Sequence, residues 1–284
     1  MVAIRAYNKC NNNCLMCSNA LIMQNQKADV NLNQILDKIK REEKDPKDIY
    51  LTGGEPLINP HIFDFIKEIN KLYPHAKISI LSNGRIFAYE KFTHKFRNTF
   101  GNTIRLCISL LGSNSSIHDK ITRSPGSFEQ TRKGIKNLLR SGMKDIELRI
   151  IVQKMNHRDL QNISRLISEE FKGINKVVFI FVDYIGESRK NLNEVKVSFK
   201  ETIEEIEKAT TILDKKINYS LFHIPLCVLK PDLRKSAVKS LEGYKLKKLQ
   251  ICEKCQICEN CPGILNSYYK IYGEGEFSPI LKDE

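Results

Sequence analysis

The fold of this chain is decided by residues 2–17, which read VAIRAYNKCNNNCLMC. The apolar run Val2–Ala6 has the character of a buried strand, and Cys10, Cys14 and Cys17 follow it at a Cys-x3-Cys-x2-Cys spacing. The loops after parallel strands are where barrel enzymes carry their functional groups. A cysteine cluster in such a loop therefore predicts a functional site at the end of the first strand.

Strands and helices alternate along most of the chain. Five further runs have strand character: Asp48–Leu51, Lys77–Leu81, Thr103–Leu110, Glu147–Val152 and Lys176–Val182. Helical periodicity is found in Leu32–Glu43, Ile62–Leu72, Phe128–Leu139, Leu160–Phe171 and Ser198–Asp214. The alternation predicts an α/β fold with six parallel strands. A composition shift near Lys215 predicts a boundary between residues 1–215 and a C-terminal module, residues 216–284.

The length and composition of the chain exclude several classes of protein. With 284 residues, of which 41% are hydrophobic, the chain can form a sizeable core, which excludes disordered and fibrous proteins. No run approaches the roughly twenty apolar residues of a membrane span, and no signal-peptide pattern is found, so we expect a cytoplasmic protein without a membrane partner. The net charge of +13 suits nucleic acid, acidic peptides or anionic cofactors, and equally a solvated lysine-rich surface.

The nine cysteines point to metal ligation. The reducing cytosol keeps cysteine side chains as free thiols, and an odd number of cysteines cannot pair completely in disulfides. Thiolates at Cys10, Cys14 and Cys17 can hold three irons of a [4Fe-4S] cube and leave the fourth iron free to bind a substrate or cofactor. A structural zinc site is the alternative, although zinc favours four ligands and no histidine stands near to complete this one.

A second motif, Gly53-Gly54-Glu55-Pro56, follows the second predicted strand. Together with Cys-x3-Cys-x-Met-Cys after the first strand, it resembles the radical S-adenosylmethionine (SAM) superfamily. The resemblance implies a partial (β/α)6 TIM-like barrel whose cluster leaves one iron to chelate the amino and carboxylate groups of SAM. It also implies that an electron from the cluster splits SAM into methionine and a 5'-deoxyadenosyl radical, which abstracts hydrogen from a substrate.

The same resemblance implies which residues contact SAM. Met16 stands where the family usually has an aromatic residue near the adenine, Glu55-Pro56 sets an edge for the methionine amino group, and Arg149 pairs with the carboxylate. The full predicted set is Met16, Gly53, Gly54, Glu55, Pro56, Ser82, Ser109, Arg149 and Asn156. Alternatively, the polar residues of this set only stabilise the turns and strand ends in which they lie. His118 and Asp119, after the fourth strand, receive no catalytic role.

A second cysteine cluster lies in the C-terminal module. Four cysteines fall within ten residues, and Cys227 lies upstream of them in an apolar stretch. The four are Cys252, Cys255, Cys258 and Cys261. This density indicates metal binding, and a second [4Fe-4S] cluster is favoured over zinc because such tight spacing strains a tetrahedral site.

The segment Ile-Pro-Leu-Cys, followed by Cys-x2-Cys-x5-Cys-Pro-Gly-Ile, resembles radical SAM peptide maturases with a shortened auxiliary-cluster domain, in particular the His-Xaa-Ser system maturases. The resemblance assigns the auxiliary [4Fe-4S] cluster to Cys227, Cys252, Cys255 and Cys261. It leaves Cys258 as an additional thiol. Cys107, inside the fourth strand, is interpreted as a buried structural cysteine.

These patterns predict a radical SAM enzyme that abstracts hydrogen from a ribosomally synthesised peptide. The modification that follows can be a crosslink, an epimerisation or a thioether. One alternative is the same chemistry on a small-molecule cofactor precursor or on RNA, although the alternating basic and aromatic segments of an RNA surface are missing. Another is a non-enzymatic metal or redox module. Expected partners are a precursor peptide, a flavodoxin- or ferredoxin-type electron donor and, because no leader-binding domain fits in 284 residues, a leader-binding protein.

Overall fold

The computed structural model describes residues 2–19, 31–42, 45–213, 215–241 and 243–281, and its centre is a sheet of eight parallel strands. The strands are β1 (Val2–Tyr7), β2 (Asp48–Gly53), β3 (Lys77–Ser82), β4 (Ile104–Ser109), β5 (Ile146–Val152), β6 (Lys176–Phe181), β7 (Asn218–Phe222) and β8 (Ala237–Val238). They lie side by side in chain order, with β1 and β8 at the two edges, so the barrel is open. The predicted α/β class with a partial barrel is confirmed.

Helices connect the strands. The helices are α1 (Leu32–Glu42), α2 (Ile62–Leu72), α3 (Glu90–Phe100), α4 (Ser115–Thr122), α5 (Ser127–Arg140), α6 (Leu160–Glu170), α7 (Glu187–Lys190), α8 (Leu192–Val195), α9 (Phe199–Ile212), α10 (Pro231–Arg234) and α11 (Asn266–Tyr272). Each helix predicted from periodicity is present, and two predicted end residues, Glu43 and Asp214, lie outside the described residues. Within the described parts of the chain, none of the helices has the length and apolar composition required to cross a membrane.

The two faces of a strand have different surroundings. In β5, Leu148, Ile150 and Val152 are fully buried among the core side chains, whereas Arg149 and Ile151, which alternate with them, line an internal cavity. The difference follows from the alternation of side chains along a strand. The strands therefore surround a space that the hydrophobic core does not fill.

The sheet continues past the predicted boundary at residue 215. Strand β7 pairs in parallel with β6, with Tyr219 opposite Val177, and β8 pairs with β7. The expected count of six strands is therefore too low by two. The sequence pattern missed β7 because Leu221 is the one fully buried side chain among its five residues, which leaves a weak apolar signal. The division into residues 1–215 and 216–284 stays a prediction.

Aromatic side chains join the C-terminal segment to the barrel. Tyr268 of α11 is fully buried, and its ring centroid lies 4.4 Å from that of Phe199 in α9 and 5.5 Å from that of Phe181 in β6. The Phe199 N–H also donates to the Tyr268 hydroxyl (3.0 Å). Strands β9 (Leu246–Lys247) and β10 (Ile264–Leu265) form a separate antiparallel pair in this segment. Buried aromatic pairs of this kind hold the second cysteine region against the barrel.

Candidate active site

A cavity of about 390 Å³ lies at the carboxyl ends of the strands. Its wall contains most of the predicted site residues, namely Cys10, Cys14, Met16, Cys17, Gly53, Gly54, Glu55, Ser82, Ser109 and Arg149. Two members of the predicted set, Pro56 and Asn156, are buried behind this wall. The set converges because parallel strands all end at the same face of the sheet.

The glycine pair at the end of β2, Gly53 and Gly54, packs directly against the cysteine loop (residues 10–17) and the chain that leads to it. A Cβ atom added to Gly53 would lie 2.2 Å from the Tyr7 carbonyl oxygen, and one added to Gly54 would lie 2.2 Å from that of Lys9. Gly53 also has a φ of +131°, which residues with a side chain rarely adopt. The Gly54 N–H donates to the Tyr7 carbonyl at 2.8 Å. The two motifs found in the sequence are therefore parts of one structure.

Two arginines hold the three asparagines of the cysteine loop. The Arg85 guanidinium, after β3, donates to the Asn12 side-chain oxygen (2.6 Å) and to the Asn11 carbonyl. Arg123, after α4, donates through Nε to the Asn13 carbonyl (2.5 Å) and through Nη2 to the Asn13 side-chain oxygen (3.3 Å). Sequence reasoning did not identify either arginine, because the contacts join positions more than seventy residues apart.

The chain after β6 closes the other side of the cysteine loop. The Glu187 N–H donates to the Cys17 carbonyl (2.9 Å), and the Asn191 side-chain amide donates to the Leu15 carbonyl (3.0 Å). A Cβ atom at Gly186 would lie 2.5 Å from the Cys17 carbonyl oxygen, so this approach requires glycine. Protein contacts alone therefore position the three cysteines.

The thiols of the cysteine loop are buried close to one another. Burial, together with the neighbouring thiol of Cys17, raises the pKa of Cys10 to about 11 and that of Cys14 to about 12. Iron would displace the protons from such thiols on binding.

Every cysteine of the chain is a free thiol. Among the described residues, no group of three or more His, Cys, Asp or Glu side chains is placed to hold a metal ion. A cluster takes its sulfurs at wider separations than a single ion does, because each thiolate binds a different iron. The donor chemistry of the loop, three thiols and no other ligand type, therefore fits a [4Fe-4S] cluster.

Glu55 is a buried carboxyl that organises the loop after β3. It is 1% exposed, and it accepts hydrogen bonds from the Ser82 hydroxyl (2.8 Å) and from the N–H groups of Asn83 (2.7 Å) and Leu57 (3.1 Å). Burial raises its pKa to about 7, against the lowering effect of these hydrogen bonds. Glu55 and Ser82 thus bind each other and shape the wall of the cavity.

The remaining predicted SAM contacts lie at the ends of β4 and β5. Arg149 stands opposite Ser109 in the strand register, and its Nε donates to Glu147 (2.7 Å). Asn156 is fully buried, and its side-chain amide donates to the Leu111 carbonyl (3.0 Å), which ties the two strand ends together. The roles of these residues toward SAM stay predictions.

His118 and Asp119 have partners within the fold. The Leu111 N–H donates to Nδ1 of His118 (3.2 Å), and burial lowers the pKa of this histidine to about 4. Asp119 accepts hydrogen bonds from the N–H groups of Gly126 and Phe128, both at 2.7 Å, at the start of α5. These contacts stabilise the loop and the helix, and they give no reason to assign a catalytic role.

The polar cavity residues that sequence reasoning missed include Asp183 after β6 and His223 after β7. His223 has a φ of +65°, a strained value for a residue with a side chain, and its Nδ1 lies 2.9 Å from the Phe181 carbonyl oxygen. Asp183 accepts a hydrogen bond from the Ser267 hydroxyl (2.5 Å), so the C-terminal segment helps to place it. No local pattern in the sequence marks either residue, because the cavity exists only in the folded chain.

All five C-terminal cysteines line a second pocket of about 30 Å³. The N–H groups of Leu226 and Gly263 donate to the Cys261 sulfur at 3.4 and 3.5 Å, and the N–H of Ile280 donates to the Cys255 sulfur at 3.5 Å. Backbone N–H groups aimed at sulfur are among the features that tune iron–sulfur clusters. The five thiols and these N–H groups are therefore donors of the kind that a second cluster would need.

The fold brings Cys227 to the cysteines that follow it much later in the chain. Burial, together with the thiols of Cys261 and Cys252, raises the pKa of Cys227 to about 11. Cys258 lines the same pocket, and its pKa is likewise raised by burial. The assignment of Cys258 as an additional thiol stays a prediction, since it stands among the four predicted ligands.

Comparisons with known proteins agree with this geometry. Residues 4–167 match the family described as the radical SAM superfamily. The GTP 3',8-cyclase of Petrotoga mobilis is 27% identical over 162 residues, which is 56% of this chain and 49% of that protein. The antilisterial bacteriocin subtilosin biosynthesis protein AlbA of Bacillus subtilis is 26% identical over 146 residues, 51% of this chain and 31% of that protein. The chain thus spans about half or less of these curated relatives.

Solved structures share the fold. The crystal structure of Streptococcus suis SuiB bound to precursor peptide SuiA has a TM-score of 0.59 at 15% sequence identity, over 78% of this chain and 48% of that one. This likeness shows the fold alone. Because the family match covers more than half of the chain, and the cysteine and glycine motifs meet at one cavity, this chain belongs to the radical SAM superfamily.

Proposed function

We propose that this chain cleaves SAM reductively and uses the resulting radical to abstract hydrogen from a ribosomally synthesised peptide. One observation in particular supports the cleavage of SAM. The three cysteines of the cysteine loop and the glycine pair at the end of β2 line the same cavity, at the end of the sheet where barrel enzymes have their active sites.

The residues that would hold the cofactors follow from this arrangement. Cys10, Cys14 and Cys17 would bind a [4Fe-4S] cluster and leave one iron for SAM. When bound, such a cluster supplies the electron that splits SAM into methionine and a 5'-deoxyadenosyl radical. The chain itself provides Ser109 and Arg149, whose hydroxyl and guanidinium can receive the ribose or carboxylate of SAM.

The remaining wall of the cavity would protect the radical. Leu81, Leu111, Ile151 and Val182 line it with apolar side chains that exclude water. Asp183 and His223 stand on the β6 and β7 side, away from the glycine pair of β2, so we assign them to the substrate. With Nδ1 of His223 engaged by the Phe181 carbonyl, Nε2 is the ring nitrogen left for a substrate group.

The peptide substrate is supported by two relatives and by the second cysteine pocket. AlbA acts in bacteriocin biosynthesis, and SuiB has been crystallised with its precursor peptide. A second [4Fe-4S] cluster at Cys227, Cys252, Cys255 and Cys261 would complete an auxiliary module of the maturase type. We further propose a flavodoxin- or ferredoxin-type electron donor, a leader-binding partner protein and a cytoplasmic location, and we propose no nucleic-acid partner.

Anaerobic reconstitution tests the SAM chemistry. The full chain is loaded with iron and sulfide and mixed with dithionite and SAM, and 5'-deoxyadenosine is measured by chromatography. Release of 5'-deoxyadenosine together with iron at two clusters supports the proposal. Zinc in anaerobically purified protein, or SAM left intact despite full iron loading, would reject it in favour of a structural metal module.

Coexpression tests the substrate. The chain is produced with each short peptide encoded beside its gene, and the peptides are examined by mass spectrometry for a loss of hydrogen or for a residue epimerised in deuterated solvent. A parallel incubation with GTP addresses the main rival, since curated relatives include GTP 3',8-cyclases. Consumption of GTP with all peptides unchanged would replace the peptide proposal with small-molecule chemistry.

A further inference from the structure

Two guanidinium groups stand behind the cysteine loop. Arg85 and Arg123 bind the asparagines of the loop, but neither is among the side chains that line the cavity. They are therefore placed to act on a cluster or on SAM through the loop and through their charge, not by contact. Because both residues bind the same short segment, they form a natural pair for comparison.

The two positive charges have different surroundings. Nη2 of Arg123 lies 3.2 Å from the Glu187 carboxylate, which also pairs with Lys190 (2.8 Å). The Arg123 side chain is about one third exposed, so its charge is partly offset by Glu187 and partly screened by solvent. Nε of Arg85 donates instead to the side-chain oxygen of Gln130 (2.7 Å), and its other hydrogen bonds go to Asn11 and Asn12. All of these acceptors are neutral. In the described part of the chain, Arg85 has no carboxylate as an ion-pair partner.

The nearby buried carboxyl of Glu55 makes no ion pair with Arg85, although the Arg85 charge acts to lower the pKa of Glu55. Glu55 receives its hydrogen bonds from Ser82, Asn83 and Leu57, and none of them comes from Arg85. A fixed cation beside an iron–sulfur cluster stabilises the reduced form, which carries one more negative charge. A charge that is balanced by a neighbouring carboxylate has little such effect.

We propose that Arg85 raises the reduction potential of the cluster held by the cysteine loop, whereas Arg123, which is more exposed and paired with Glu187, only holds the loop in place. This inference rests on the proposed function, because it requires a cluster at Cys10, Cys14 and Cys17. Arg85 is thus a positioning residue with an electrostatic role, and it brings the cluster within reach of a biological electron donor.

The test compares Arg85→Gln, Arg85→Lys and Arg123→Gln in the full chain. Glutamine keeps an N–H donor for the loop without the charge, and lysine keeps the charge without the planar fork. Iron and sulfide analysis first checks that each variant carries the wild-type cluster content. The midpoint potential is then measured by an EPR-monitored redox titration of the signal that SAM addition perturbs, which identifies the cluster with the open iron.

Arg85→Gln is expected to shift this potential to more negative values, and Arg85→Lys to keep it near wild type. Arg123→Gln is expected to leave the potential unchanged and to lower the melting temperature. Equal shifts in the two glutamine variants, an unshifted Arg85→Gln cluster, or loss of iron in both Arg85 variants would overturn the inference. A wild-type chain without a SAM-sensitive cluster would reject the proposed function as well, whereas a SAM-sensitive cluster whose potential ignores Arg85 would reject the inference alone.

Discussion

The two cysteine regions differ in the space that surrounds them. At the cysteine loop, three thiols lie in the wall of a cavity of about 390 Å³, whereas the five C-terminal thiols line a pocket of about 30 Å³. Both regions offer only sulfur ligands, so ligand chemistry does not distinguish them. A cluster that binds a second molecule needs room beside its open iron, and the first region provides it.

The contacts around the sulfurs differ as well. Polar side chains from distant loops, such as Arg85 and Arg123, hold the cysteine loop, and its cavity is open to a ligand. Backbone N–H groups reach the sulfurs in both regions, but the C-terminal sulfurs lie among apolar side chains, including Leu226 and Phe277. The comparison teaches that the volume and the contacts beside a set of thiols, more than their number, indicate what a cluster there can do.

The largest effect is expected from Cys14→Ala in the cysteine loop. Removing one of three ligands leaves the cluster without a stable site, so 5'-deoxyadenosine formation should fall on the order of 100-fold or more. The control is Cys107→Ala, because Cys107 lines the same cavity from β4 but is not among the predicted cluster ligands. If both variants release 5'-deoxyadenosine at the same rate, the ligand assignment is wrong.

Cys255→Ala should affect the C-terminal cysteine region and leave the chemistry of the cysteine loop nearly unchanged. We expect the iron content to fall by about half while 5'-deoxyadenosine formation stays within about twofold of wild type, because the proposed SAM site is at the other cluster. The matched control is Cys258→Ala in the same pocket, which should keep the full iron content. Iron loss in Cys258→Ala with none in Cys255→Ala would exchange their roles.

Gly54→Ala should damage the first region alone. The new Cβ would lie 2.2 Å from the Lys9 carbonyl oxygen, a backbone atom that cannot move without displacing the cysteine loop. The free energy of unfolding should fall by roughly 3–4 kcal/mol, measured by denaturant titration. Gly275→Ala is the control, since a Cβ atom there meets nothing within 4 Å. Equal stability of the two variants would contradict the close packing of β2 on the loop.

The smallest expected effect is a pH dependence of the free energy of unfolding, which arises from Glu55 beside the cysteine loop. Its pKa is raised by burial to about 7 from an ordinary 4.5, so its stabilising contribution is full below about 4.5 and is lost as the pH rises through about 7. Between pH 5 and 8 this amounts to about 2 kcal/mol of unfolding free energy.

Glu55→Gln should remove this slope, because glutamine does not ionise. The variant should also be destabilised by a constant amount, since its amide N–H group would face the Asn83 N–H that now donates to Glu55. Denaturant unfolding at several pH values separates the two effects. Parallel curves for wild type and variant would show that Glu55 keeps its charge over the whole range.

Part of the site could be predicted because its signals are local. The cysteines of the loop stand within eight residues, and the glycine pair directly follows a strand, so both can be recognised in short windows of sequence. Strand β7 and helices α3 and α4 were not predicted from the sequence, because their apolar patterns are short or interrupted by polar residues. A weak local pattern becomes a strand or helix only when neighbouring elements bury it.

The sequence by itself determined the α/β class, the superfamily and the two thiol sets, because strand alternation and cysteine spacing are properties of neighbouring residues. Only the tertiary structure decided that Arg85 and Arg123 bind the cysteine loop and that Asp183 and His223 line its cavity. These contacts join residues far apart in the chain. They depend on the order of strands in the sheet and on the packing of the loops, which no short stretch of sequence encodes.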